Sequence, residues 1–288
     1  MNSIIKNIRS YLNMSQAELA ELLGVTFATV NRWENGHAKP NKLAQTKIFE
    51  ICHEKDVPLY QMVLDKIERA VSEIPVEEGH ILLYHGSKSG IEGPIGLRSR
   101  EHCDFGKGFY MGTDPSQCLT LICDYPKSKF YVMSVDMKNL QSIEIPVNID
   151  WAMLVAYNRD KMKKIKGTKL YQQYSDMTSE SDLVIGCIAD DRMFYVIDNF
   201  FQGTITDAAL INSLSALKLG KQYVMVTQKG CDHTKVVAEI ELSDLERFSI
   251  QTVAEDNRNK GVSYANEICK NYRREGKYFD ELLEEAGG

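Results

Sequence analysis

The sequence predicts a small all-α domain followed by an α+β domain, and three observations carry that reading. Residues 3–68 show apolar residues at helical spacing, punctuated by cap residues and glycines. Near residue 75 the pattern changes to short runs of β-branched and aromatic residues divided by glycine-rich stretches. Helices and strands then follow each other in mixed order, which fits α+β better than a doubly wound sheet. A chain of 288 residues has room for two modest domains.

In the first part, Ile4, Ile5, Ile8, Tyr11 and Leu12 form one face of a helix over 3–12. Ser15 followed by Glu18 forms a capping box that opens a helix over 16–23. Gly24 stops it, Thr26 caps the next helix, and Gly36 ends that one. Two short helices joined by a tight glycine turn form a helix-turn-helix. Residues 1–72 are assigned to this domain and residues 73–80, with their proline, glycine and acidic residues, to a linker.

In the second part, the strands expected are ILLYHG, FYMGT, KFYVMSVDM, 182–189, 192–198, 222–227 and 235–242. Asp190-Asp191 is read as a turn joining two of them, and helices are expected over 115–125, 149–158 and 206–218. This domain spans 81–250. A helical tail, 251–288, suits a cap folding back on it or a dimer contact. The Tyr195–Thr206 stretch is read as core rather than a wall of the site.

Composition narrows the function. No apolar run is long enough to span a bilayer, and the N-terminus lacks the apolar stretch of a signal peptide, so a cytoplasmic protein without a membrane partner is expected. Seven cysteines, an odd number with no CxxC pair, argue for buried thiols against a disulfide framework or a zinc site, and no metal is expected. The net charge of −6 is unevenly spread: residues 1–72 carry nine Lys/Arg and eight Asp/Glu, so the remainder carries −7. Any contact with DNA therefore belongs to the first part.

The run SQAELAELLGVTFATVNRWENGHAKP, with Gln16, Ala20, Gly24, Val25, Val30, Trp33, Glu34, Gly36 and Pro40 in place, resembles the Cro/repressor-like (XRE) family. The resemblance implies that the second helix enters the major groove. Its exposed face offers Phe27, Ala28, Thr29, Asn31 and Arg32, of which Asn31 and Arg32 have groups that read base edges. Gln16 is implied to touch a phosphate, and Lys39 and Lys42 to add phosphate contacts. Trp33 is read as core. Such modules commonly dimerise, so a homodimer is expected. A docking module for a protein partner is the other reading of the same fold.

Three later segments carry chemistry: Tyr84-His85-Gly86-Ser87, then Asp104-Phe105-Gly106-Lys107-Gly108-Phe109-Tyr110, then Lys221-Gln222-Tyr223-Val224-Met225. In this order they resemble the diphtheria-toxin-like ADP-ribosyltransferases, which include the poly(ADP-ribose) polymerases. The sequence is more similar still to a bacterial family of formally unknown function that shares YHGS and DFGKGFY. The resemblance spans roughly residues 81–245 and implies NAD as substrate. His85 is then implied to bond a ribose hydroxyl, Ser87 to touch the adenosine side, and Tyr110 to stack on nicotinamide. The Gly86 backbone suits the nicotinamide amide, and Gly106 and Gly108 let the chain pass close to the ligand. Phe105 belongs to the same segment, and Lys107 is placed toward the pyrophosphate.

Two departures bear on activity. The second stacking tyrosine of the polymerases falls on Leu121, with Tyr125 as a replacement. The glutamate that supports the cationic transition state falls on Gln222, an amide without negative charge. Glu239 and Glu241 are the alternative carboxylates. The expectation is a mono-ADP-ribosyltransferase acting on a protein or nucleic-acid acceptor, joined to a DNA-binding module for autoregulation or targeting. A toxin or phage-defence role fits such a fusion by analogy. The alternative is a transcription regulator with a degenerate domain that senses NAD or ADP-ribose.

Overall fold

The computed structural model describes residues 4–188, 191–216 and 220–287. The chain opens with five helices: α1 Ile4–Tyr11, α2 Gln16–Leu23, α3 Phe27–Glu34, α4 Lys42–Glu54 and α5 Leu59–Ser72. The Ser15–Glu18 capping box forms in both directions and Gly24 takes φ +69° at the end of α2. The Thr26 side chain accepts from Thr29 N–H at the start of α3. These caps satisfy helix ends that would otherwise compete for water, so the turn between α2 and α3 stays tight. Ile5, Ile8, Leu19, Leu23, Val30 and Ile48 close a small core, and Trp33 belongs to it as expected.

The second part is built on a mixed sheet of seven strands among the described residues. They are β1 His80–Ser87, β2 Phe109–Gly112, β3 Lys129–Asp136, β4 Ser142–Glu144, β5 Leu183–Cys187, β6 Lys221–Met225 and β7 Thr234–Ile240, in the order β4-β5-β6-β2-β1-β3-β7. All neighbours are antiparallel except β4 and β5. Strand β5 is buried along its whole length, which explains the apolar run Leu183–Cys187, without a polar position. One face packs around Phe130, Val132, Leu119 and Ile122 at one end, and around Trp151, Val184, Val224 and Phe200 at the other. The opposite face buries Leu83, Met111, Met133 and Met225.

The remaining helices are α6 Pro115–Ile122, α7 Ile149–Asn158, α8 Lys169–Asp176, α9 Asp191–Phe201, α10 Asp207–Ala216, α11 Gln228–Asp232, α12 Asp244–Tyr272 and α13 Phe279–Gly287. Several expectations need correction. Residues 192–198, expected as a strand, lie in α9. Its aromatic and β-branched composition suits a strand, yet Val196, Ile197 and Phe200 are buried at helical spacing, and packing decides. Asp190, and with it the expected turn, lies outside the described residues. So do Ala189, at the end of the first of those strands, and Lys218, at the end of the expected 206–218 helix.

The tail does not begin at residue 251. A second capping box, Ser243 with Glu246, starts α12 inside the stretch assigned to the preceding domain. The helix packs against both parts of its own chain. Nor is residue 73 a clean boundary between independent units. Helix α5 buries Val63 and Ile67 beside Phe130 and Ile240 of the sheet domain, while Leu245 of α12 enters the core of the first five helices. Lys66 donates to Glu241 C=O at 2.7 Å and to Glu246 Oε1 at 2.9 Å, and Phe49 meets Phe248 edge to face at 4.2 Å. No helix of the described residues is long and apolar enough to cross a membrane.

Candidate functional site

The first two chemical segments meet where β1 and β2 part. Their ladder is registered at Tyr84↔Gly112 alone, whereas β1 continues along β3 as far as Ser87↔Lys129. Past Tyr84 the banks of the opening are His85, Gly86 and Ser87 on one side and Phe109 and Tyr110 on the other.

Two side chains wedge this opening. His85 Nδ1 lies 2.7 Å from Tyr110 C=O. A carbonyl only accepts, so Nδ1 carries the proton and Nε2 is left as an acceptor. The ring stacks on Phe109 with centroids 4.4 Å apart. Burial lowers the imidazole's pKa from its ordinary value, against the opposing pull of the Tyr110 carbonyl, so the ring is neutral near pH 7. From α6, the Cys118 thiol donates to Tyr84 C=O at 3.3 Å. Burial and the nearby Asp114 charge push that thiol up to about 12, against the N–H groups of Gly112 and Gly86 that face its sulfur. Cys118 is thus an inert spacer rather than a nucleophile. The cysteines are thiols, five of them buried.

The glycines also have a reason within the protein itself. A Cβ on Gly86 would lie 2.7 Å from Cys118 O and 2.8 Å from Ile122 Cγ2, so it is helix α6 that requires a glycine there. A Cβ on Gly108 would lie 2.6 Å from Val224 Cγ1 and 2.7 Å from Met225 O, against β6. Gly106 has φ +74°, a left-handed conformation that turns the loop. Close approach of neighbouring elements accounts for Gly86 and Gly108, and the left-handed turn for Gly106.

The loop 104–110 is held from within. Tyr110 Oη donates to Gly106 C=O at 2.7 Å and accepts from Phe105 N–H at 3.1 Å. Burial raises the phenol's pKa far above the ordinary range, so it stays protonated and its ring is fixed in place. Phe105 is buried, and Lys107 is exposed. Ser87 Oγ donates to Gly90 C=O at 2.9 Å and accepts from Gly90 N–H at 3.0 Å, closing the turn after β1.

Strand alternation separates the candidate residues. Tyr110 and Gln222 share a face of the sheet with Tyr84, through the pairs Tyr84↔Gly112 and Gly112↔Gln222. His85 belongs to the other face with Tyr131, and it reaches the Tyr110 backbone only by filling the gap. Gln222 is buried, and its Nε2 donates to Cys187 C=O at 2.9 Å and to Asp104 Oδ2 at 3.4 Å. Asp104 in turn accepts at Oδ1 from Arg159 Nε at 2.9 Å and Nη2 at 2.6 Å. Sequence reasoning named Asp104 only as the first residue of its segment and missed Arg159 and the link to Gln222, because nothing local ties positions 55 and 118 residues apart.

The alternatives weighed in sequence resolve geometrically. Glu239 pairs with Lys129 on β7, which β2, β1 and β3 separate from β6. Glu241 meets the first domain through its carbonyl. Leu121 is exposed, and Tyr125 lies beside Lys88 at the end of β1: Nζ donates to its hydroxyl at 2.6 Å and sits 4.3 Å from the ring centroid. Among the described residues no group of three or more His, Cys, Asp or Glu side chains is gathered to hold a metal ion.

In the first domain, Phe27, Ala28, Arg32 and Lys39 are exposed, and Thr29 and Asn31 are half-buried. Gln16 Nε2 donates to Glu34 Oε2 at 2.7 Å, and Asn31 Nδ2 donates to Gln16 Oε1 at 3.3 Å. Arg9 completes the chain with Nε 2.7 Å from Glu34 Oε1. Burial acts to raise the Glu34 carboxyl, but bonds from Arg9 and Gln16 win and hold it below its ordinary value. Gln16, Asn31 and Lys39 line a cavity of about 670 Å³ whose far wall carries Glu241, Asp244 and Glu246.

Fold and site thus define a two-part protein: a helix-turn-helix module, the class that binds DNA, clamped to a mixed-sheet domain whose central strands part at a histidine and a tyrosine. Residues 5–44 match the family described as helix-turn-helix. Residues 81–235, more than half of the chain, match the family described as "Protein of unknown function (DUF3990)", and the chain belongs to that family. No curated protein and no solved structure matches the chain.

Proposed function

We propose that the sheet domain is a mono-ADP-ribosyltransferase that uses NAD, and that the helix-turn-helix module delivers it to DNA or represses its own gene. The observation that carries this reading is the opening between β1 and β2. Residues of the sequence segments that resemble transferase motifs line its two banks, 22 or more positions apart along the chain.

In the reaction proposed, the bond between nicotinamide and ribose C1′ breaks, nicotinamide leaves with the bonding pair, and an acceptor nucleophile adds at C1′ and releases its proton. The residues suit parts of that task. Neutral His85 can accept a ribose hydroxyl proton at Nε2. Tyr110, locked by its hydroxyl, offers a preset ring face for nicotinamide, which lowers the ordering lost on binding. Gln222 can accept a hydroxyl hydrogen bond at Oε1.

The test is nicotinamide release from NAD in a lysate that supplies acceptors, for wild type, His85→Ala and Gln222→Ala. Release that disappears in the variants supports the reading. NAD binding without release in the wild type would refute it and favour a regulator whose DNA affinity responds to NAD or ADP-ribose. The seam between α5, α12 and the sheet favours that second reading, and titrating DNA with and without NAD distinguishes the two. For the DNA-binding arm, Arg32→Ala is expected to relax base selectivity, whereas Lys39→Ala is expected to weaken all sequences alike and flatten the salt dependence.

A further inference from the structure

The transferase reading leaves one chemical requirement open. Loss of nicotinamide develops positive charge on the ribose, and Gln222 carries none of the opposite sign. We propose that Asp104 supplies this charge, acting through the Gln222 amide as a positioning and electrostatic residue; the inference rests on the transferase reading.

The geometry is specific. The Gln222 amide nitrogen has two protons, and both are directed to protein acceptors, the Cys187 carbonyl at 2.9 Å and Asp104 Oδ2 at 3.4 Å. That fixes the amide flip and turns Oε1 into the group that meets a ligand. The carboxylate behind it polarises the amide, making Oε1 a stronger acceptor than an isolated glutamine. Arg159 takes the other carboxylate oxygen through two N–H groups and sets its plane. Asn158 Nδ2 donates to the Asp104 carbonyl at 3.1 Å and to Leu154 C=O at 3.0 Å, tying the loop to the last turn of α7. The Asp104 side chain is 13% exposed and that of Arg159 9%, so water screens the charge weakly. Tyr110 lies in the field of both groups. An ion pair this dry is rarely the most stable filling of its space, which makes a purely structural role a poor account of it.

The experiment exchanges the two side chains. Asp104→Asn removes the charge, and Asp104→Asn/Gln222→Glu moves it one side chain nearer the ribose while keeping an amide–carboxylate pair. Nicotinamide release is measured as kcat and KM for NAD, with thermal melts of every variant. Asp104→Asn is expected to lower kcat about 10- to 100-fold, the effect of one unit charge several ångströms from the reacting carbon, and to raise KM for the cationic NAD about 5-fold. The exchange variant is expected to regain most of the lost kcat, although Arg159 faces an amide in both variants and both melt earlier. A carboxylate at position 222 supports the cation in its own right, so recovery shows that charge is the missing element, and the ratio of NAD to NADH affinities separates the proposal from a structural role of Asp104.

A second readout is independent of turnover. A carboxylate near the nicotinamide ribose favours cationic NAD over uncharged-ring NADH, so the ratio of their affinities falls about 5-fold or more in Asp104→Asn. Wild-type turnover with an unchanged kcat in Asp104→Asn, or an exchange variant that recovers nothing, overturns the proposal. A wild type that binds NAD without turnover overturns the transferase reading, and the NAD-to-NADH ratio then decides Asp104 alone. A wild type that neither binds NAD nor releases nicotinamide overturns both.

Discussion

Gly186 offers a direct test of how the DFGKGFY loop is seated. It lies on β5, paired with Gln222 of β6 and directly after the last β4 pair, Glu144↔Ile185, so its backbone is held in the sheet. A Cβ there would be 2.4 Å from Phe105 Cζ and 2.9 Å from Cε2, about 1 Å inside carbon–carbon contact distance. The strand cannot yield, so the Phe105 ring must leave its seat and take the loop with it. Overpacking of this kind costs about 1–3 kcal/mol, and reduced freedom of the unfolded chain returns about 0.4–1 kcal/mol. Gly186→Ala is therefore expected to destabilise by about 1–2 kcal/mol. Phe105→Ala, which empties a buried ring site, is expected to cost about 3–5 kcal/mol. In the double variant the methyl enters the space the ring vacated, so the sum overshoots by about 1–2 kcal/mol. Urea unfolding of the four proteins measures this coupling. Additivity within about 0.5 kcal/mol would refute the claim that the ring occupies the place of a Gly186 side chain.

Three further outcomes follow from the geometry. Glu34→Ala strands Arg9 and Gln16 and is expected to cost about 3 kcal/mol in a thermal melt of the whole chain. Because the folded carboxyl lies below 4.5, its contribution is complete above pH 4.5 and declines as pH falls from there through the lowered value; the variant should lose that part of the acid dependence. His85 is a base whose folded pKa is depressed by burial, so the unfolded chain binds its proton first and stability declines as pH falls below 6.5. The stability difference between pH 7.5 and 5.5 should shrink in His85→Gln, and an unchanged difference would show that the imidazole is not desolvated. Lys66→Ala leaves Glu246 buried without its partner and is expected to cost about 2–3 kcal/mol, splitting one cooperative unfolding transition into two by calorimetry.

Local chemistry was legible from sequence where it is local in space. Ser15 with Glu18, Gly24 and Thr26 announce helix ends because caps act over three or four residues. Strands β1, β2 and β3 were readable because apolar, β-branched and aromatic runs suit a buried sheet. Residues of α9 misled because composition and period disagreed, and burial of Val196, Ile197 and Phe200 settled the matter in favour of the helix. The reason for Gly86 was hidden because the atom it makes room for belongs to a helix more than 30 residues on. Gln16 and Asn31 were read as reaching outward to DNA, yet here they bond to each other, a competition no single-residue argument can weigh. The Asp104–Gln222–Arg159 group was invisible because three distant segments form it.

Helix α12 has a mechanical consequence. Its 29 residues correspond to about 43 Å of stiff rod. Leu245 is set in the core of the first domain, Ile250 in the core beneath β3, and Cys269 against the core around Trp151 and Phe200. A rod anchored at three stations acts as a lever: a tilt of about 5° at one end moves the other by nearly 4 Å. Any displacement of α9 or α10 beside the sheet must bend this rod, shear one of its anchorages or swing the helix-turn-helix. If a ligand at one end changes the affinity for a second ligand at the other, the second changes the affinity for the first by the same factor.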